Sequence, residues 1–200
     1  MTEDQRKHML EAVDRTSASA TEWENYWRAY SSVDTWQFWT LLLMLVLPLV
    51  ALVLRLDRGK AFRIGFYGFA IHVIAIYSDL YATTHHMWAY PYKVFPFPPS
   101  SFSVDASLIP VAYMFLYQWS VNRRRNYYVY SALLGAAFAF GLKPLLAAFD
   151  MFLLLDTNYL LLFLFYLIGG WAAKWVTDLF AYAEGKQERG ARRKASLAKK

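Results

Sequence analysis

Five long apolar segments, roughly 36–54, 62–84, 105–121, 127–147 and 159–181, leave this chain few folds to choose from. Each is close to the roughly 17–25 residues that a helix needs to cross the hydrocarbon core of a bilayer. In lipid every backbone N–H and C=O must be satisfied within the chain, so such segments form helices. The expected fold is all-α: an integral membrane bundle of about five transmembrane helices over residues 36–181, with a polar arm at 1–35 and a basic tail at 182–200. The third segment is the shortest and contains Pro110. Pro48 and Pro144 also fall inside spans, where neighbouring helices can satisfy the carbonyls that proline frees. Trp36, Trp39, Trp88, Tyr90, Trp119, Tyr127, Tyr128 and Tyr182 cluster at the segment ends, as interfacial aromatics do.

Composition agrees, being 58% hydrophobic and 19% aromatic with eight Trp, too apolar for an ordinary soluble domain. The net charge of +6 would suggest nucleic acid if it were spread over one face. Instead the charges sit between the apolar segments and in the tail, so no nucleic-acid partner is expected. The absence of cysteine excludes disulfides and thiolate metal sites. The first 35 residues are polar, and no N-terminal signal peptide is expected.

Lysine and arginine set the expected orientation. Arg55, Arg58, Lys60, Arg63, Arg123, Arg124, Arg125 and seven residues of the tail lie on one side; four in the arm and Lys93 lie on the other. The positive-inside bias places the N-terminus outside and the C-terminus in the cytoplasm of a cell-membrane protein. The bilayer is the expected partner, with anionic lipid drawn to a basic, disordered tail. In the arm, Thr2–Val13 reads as a weakly amphipathic helix. Thr21 and Glu24 match a capping box that would open a second one. Trp23, Tyr26, Trp27 and Tyr30 recur on one helical face, suited to a membrane interface.

The candidate site is a set of ionisable residues at membrane depth, where charge is costly and usually faces a bundle interior or a wet cavity. His72, Asp79 and His86 share one slowly drifting helical face, with His85 adjacent. At about 1.5 Å per residue from the flanking arginines, Asp79 stands roughly 24 Å up, and Asp105 and Lys143 roughly 27 Å. The bland reading is a helix-to-helix tie between Asp79 and Lys143, with Asp105 as a helix cap and the histidines wetted at the interface. The sharper reading is a pocket formed by His72, Asp79, His85, His86, Asp105 and Lys143 that binds a ligand or relays protons. Adjacent histidines diverge by about 100° and the seven-residue steps are about 10 Å, so no metal site is expected. No cofactor motif is present. The loop 87–104 has Pro91, Pro96, Pro98 and Pro99 among aromatics and should run extended. It either hugs the interface or covers the pocket as a lid led by Trp88 and Tyr90. Lys174 and Asp178 are spaced for a local ion pair.

Asp79, Trp88-x-Tyr90-Pro91, the proline-rich stretch, Asp105, Pro110-Val111-x-Tyr113-Met114 and Tyr117-Gln118 together resemble the central pattern of a known family. It is an uncharacterised family of small multi-pass membrane proteins common in endospore-forming bacteria. The resemblance covers about residues 45–120. This chain departs from the pattern at Lys143-Pro144, where the family has an acidic residue before the proline. It departs again at Thr157 and Leu162–Leu164, where a Trp and a Ser-x-Pro are expected. The resemblance implies a multi-pass membrane protein and supplies no reaction, substrate or cofactor. The functional expectation is a non-enzymatic binding or envelope-associated role. The alternatives are a small transporter or ion- or proton-translocating subunit using Asp79, Asp105 and Lys143, and an intramembrane enzyme on a lipid-like substrate with His85 or His86 as base.

Overall fold

The structure is a computed structural model that describes residues 1–96 and 100–197, with the side chains of Gly185 and of residues 187–197 left out. Phe97, Pro98 and Pro99 of the loop lie outside the described residues. So do most of the basic side chains on which the anionic-lipid expectation rests.

The fold is all-α and packed as a bundle. Helix α1 spans Glu3–Tyr30, α2 Trp36–Arg55 and α3 Ala61–Thr84. Strand β1 (Trp88–Ala89) precedes α4 (Ile109–Arg123), α5 (Tyr127–Ala137) and α6 (Lys143–Ala148). Strand β2 (Leu153–Leu154) and α7 (Tyr159–Leu197) complete the order. Among the described residues four helical stretches are long and apolar enough to cross a membrane: Trp36–Arg55, Arg58–Thr84, Tyr127–Ala148 and Tyr159–Glu184. These mark a membrane-inserting chain.

The fifth expected segment is helical too, but it lies at the centre of the bundle. α4 buries Ile109, Val111, Tyr113, Met114 and Tyr117 and packs on α2, α3 and α5. A helix sheathed by protein rather than lipid tolerates Ser107, Gln118, Ser120 and Asn122, which lower its hydropathy below that of its neighbours. α2 is the converse, with most of its apolar side chains exposed where lipid would cover them.

The three prolines explain the local distortions. Pro cannot donate to the carbonyl four residues back, and its ring clashes with it. Before Pro110 and Pro144 the helix widens in the same register, into π-turns over Val104–Leu108 and Phe138–Leu142, and Ile109 and Lys143 each donate five residues back. Asp105 lies in the first of these turns and Lys143 directly follows the second. At Pro48 the helix is not widened, and the Ser107 hydroxyl donates at 2.6 Å to the carbonyl of Leu45, next to the Met44 carbonyl that the proline leaves free. Close packing needs glycine at two places. A Cβ on Gly68 would stand 2.2 Å from Met114 Sδ, and one on Gly170 would stand 2.8 Å from the Tyr113 ring.

Two sequence expectations for the termini are corrected. α1 is one helix whose capping box is formed by Thr2 and Gln5, and Thr21 sits mid-helix with its hydroxyl on the Ser17 carbonyl. Thr2 prevails because its extended backbone leaves N–H groups to cap, whereas those around Thr21 are already in helical bonds. At the other end α7 runs on to Leu197, so the backbone of the tail is helical rather than disordered as far as it is described.

Candidate functional site

At the end of the bundle away from the arginine turns, α3 presents Asp79, the turn before α4 presents Asp105, and α6 presents Lys143. All three line one cavity of about 50 Å³, as their matched depths predict. They are 5%, 3% and 1% exposed, so water does little to screen them.

Asp79 is well satisfied. Its Oδ1 accepts from Trp88 Nε1 and from the Tyr90 hydroxyl, each at 2.7 Å, and its Oδ2 accepts from the Ser101 amide at 3.3 Å. The Tyr90 hydroxyl in turn accepts from Lys143 Nζ at 2.7 Å. The expected direct tie between Asp79 and Lys143 is therefore corrected: the two charges meet through the hydroxyl of Tyr90, which the loop inserts between their helices. Burial, aided by the Asp79 carboxylate, pushes the Tyr90 hydroxyl well above the usual tyrosine range, so it remains a donor. Lys143 Nζ also lies 4.2 Å from the Phe152 ring centroid and 4.6 Å from that of Tyr90, where the π-faces favour a cation.

The loop is thus drawn into the bundle mouth rather than laid along an interface. Trp88 and Tyr90 are buried, and β1 pairs antiparallel with β2, Trp88 opposite Leu154 and Ala89 opposite Leu153. α1 docks onto this cap by its last turns. Trp27 Nε1 donates to the Lys93 carbonyl at 2.9 Å, and the Lys93 amide donates to Ser31 Oγ at 2.8 Å. Lys93 Nζ stands 3.9 Å from the Trp23 ring centroid, and burial lowers its ammonium to about 8. The aromatic stripe of α1 therefore serves, in Trp23 and Trp27, to hold the loop.

Asp105 differs from Asp79. It caps no helix, because it lies within the widened turn, and among the described residues its Oδ2 is buried without a hydrogen-bond partner. It lines the same cavity as Asp79, and its carbonyl bonds the His72 ring Nδ1 at 2.9 Å. His72 is thus a helix-to-helix contact beside the cavity. His85 and His86 lie outside it. His85 is exposed, stacks on Tyr81 and bonds the Tyr81 carbonyl; His86 turns out at the end of α3 with φ 59° and meets the exposed Asp156 at 2.9 Å. The helix ends at Thr84, so the face shared with His72 and Asp79 is broken before His86. Among the described residues no group of three or more His, Asp or Glu side chains could hold a metal ion.

The cavity wall has one less buried side. Ile74, Ala75 and Ser78 of α3 and Phe165 and Tyr166 of α7 are partly exposed, while the other lining residues are buried. The seam between α3 and α7 is therefore the least buried side of the cavity. From the cavity a file of tyrosines leads toward the arginine end. Tyr113 donates to the Tyr166 carbonyl, Tyr127 donates to the Gly170 carbonyl, and the Tyr67 and Tyr127 hydroxyls are 2.6 Å apart. Tyr117, stacked on Tyr67, has a buried hydroxyl without a partner and lies under Arg63. Arg63 pairs with Asp178 at 2.8 Å, and Lys174 bonds the same carboxylate as its spacing predicts. Sequence reasoning missed this file; Tyr67, Tyr113 and Tyr166, placed within spans, were the available signal, whereas Tyr127 reads as an interfacial aromatic.

No protein-family model, curated protein or solved structure matches the chain. Fold and geometry define its class: an all-α, membrane-inserting bundle with a buried carboxyl–tyrosine–lysine cluster under an aromatic cap.

Proposed function

We propose that this is a non-enzymatic multi-pass protein of the cell membrane that binds a ligand at the outer end of its bundle. The bias of basic residues supports an outer cap and a cytoplasmic arginine end. The resemblance to small membrane proteins of endospore-forming bacteria supports an envelope-associated role. The observation that carries the binding reading is the Asp105 carboxylate oxygen, buried without a partner beside a cavity. A buried acceptor with no donor costs stability, and a structural tie has no use for that cost. Functional sites commonly retain such groups at the expense of the ligand-free fold.

Thermal unfolding in detergent tests the reading. Asp105→Leu should raise the stability of the ligand-free protein by about 1–3 kcal/mol, whereas Asp79→Leu should lower it by at least as much. A loss of stability in Asp105→Leu comparable to that in Asp79→Leu would make the cluster a tie.

A second reading, proton translocation, is favoured by the tyrosine file. It gives the cavity a polar continuation that His72, Gln118 and Asn122 do not provide. In proteoliposomes it requires an imposed pH gradient to dissipate faster with the protein than without. Tyr67→Phe should abolish the difference, and no protein-dependent flux would remove this reading.

A further inference from the structure

Resting on the binding reading, we propose that the cavity takes a primary alkylammonium group, with its N–H donors on Asp105 Oδ2 and its alkyl stem leaving between α3 and α7. Charge comes first. Two carboxyls face one ammonium, so Asp79 and Lys143 balance through Tyr90 and Asp105 is left over. A bound ammonium beside Asp105 balances that charge and at once gives Oδ2 its missing donor.

Size selects the kind of cation. About 50 Å³ holds roughly three or four water-sized groups at about 10–15 Å³ each. That suits an ammonium with one or two methylenes and is too small for a quaternary ammonium. The lining selects the stem. Ile71, Ile74, Ala75, Ile109 and Leu162 offer methylenes a dry wall, whereas a bare metal ion would want oxygens on every side. Ser78 and Tyr166 add polar side chains to the lining. The amine can be a free solute or the head of an aminophospholipid entering laterally from the bilayer; the chemistry recognised is the same.

The purified protein in detergent is titrated with ethylammonium chloride at constant pH and ionic strength, and its Tm is followed. The expected result is a rise in Tm that grows with the logarithm of concentration above Kd and reaches about 3–6 °C at ten times Kd. Tetramethylammonium should give none, and Asp105→Asn should weaken the ethylammonium response at least about tenfold. Nanodiscs of phosphatidylethanolamine, compared with phosphatidylcholine, separate the sources. Added ethylammonium has no further effect in the former if the lipid head already occupies the cavity, and a full effect in both if the ligand is a free amine. No ethylammonium response in detergent, an equal response to tetramethylammonium, an undiminished response in Asp105→Asn, or a response to pH alone overturns the proposal. If it falls while Asp105→Leu still stabilises the ligand-free protein, the cavity binds something else and the broader reading stands.

Discussion

Tyr90 is the residue on which the site turns, and it shows how far single-residue reasoning reaches. Counting from the arginines brought Asp79, Asp105 and Lys143 to one level, because helices have a fixed rise per residue, and that level is where their cavity lies. The count had no access to Tyr90. The loop that carries it has no period from which depth could be read, and only the finished packing shows its hydroxyl between carboxylate and ammonium. The consequence is a coupling without contact. Asp79→Asn and Lys143→Met should be non-additive in thermal stability by about 1 kcal/mol or more, and the coupling should vanish in a Tyr90→Phe background. Tyr90→Phe alone should cost about 1.5–3 kcal/mol, because it leaves Asp79 one donor short and Lys143 without its acceptor. Coupling that survives Tyr90→Phe would mean that the two charges meet directly.

At the scale of elements, the apolar segments were readable because a bilayer accepts few alternatives to the helix. What was not readable is how proline acts within them. Pro48 and Pro144 were expected to leave carbonyls for neighbouring helices. Instead Pro144, like Pro110, is preceded by a widened turn that shifts the hydrogen bonds by one residue, and the two turns carry Asp105 and deliver Lys143 into the cavity. π-turns of this kind often occur at functional sites. α1 is a different case. Its stripe was legible as an aromatic face, but the surface it meets comes from residues more than sixty positions on, which no local pattern reveals. Most of α1 before Trp23 is exposed, and under the proposed orientation it lies outside. A single cysteine at Ser19 should therefore react with an impermeant maleimide on intact cells, while one at Ser196 should react only after lysis. Labelling of 196 but not 19 would invert the orientation.

Seen whole, the molecule buries its least lipid-compatible side chains, Asp79, Asp105 and Lys143, around one cavity. Two aromatic and aliphatic clusters meet around the cavity, one built under the cap from Trp88, Tyr90 and Phe152, the other around Tyr67, Tyr113 and Tyr117 toward the arginine end. α4 runs through the centre with little lipid exposure, and α2 lies outermost. This arrangement keeps the charges dry except along the seam of α3 and α7, where Ile74, Ala75 and Ser78 face Phe165 and Tyr166. The central claim is that the space behind this seam is a site and not a packing defect. A cryo-electron microscopy map of the full chain in lipid nanodiscs, at a resolution that shows ordered water, tests it most directly. The account predicts non-protein density within hydrogen-bonding distance of Asp105 Oδ2, continuous with the seam between α3 and α7. A dry, closed interior in which the Asp105 carboxylate is hydrogen-bonded to Lys143 or another protein donor would contradict it.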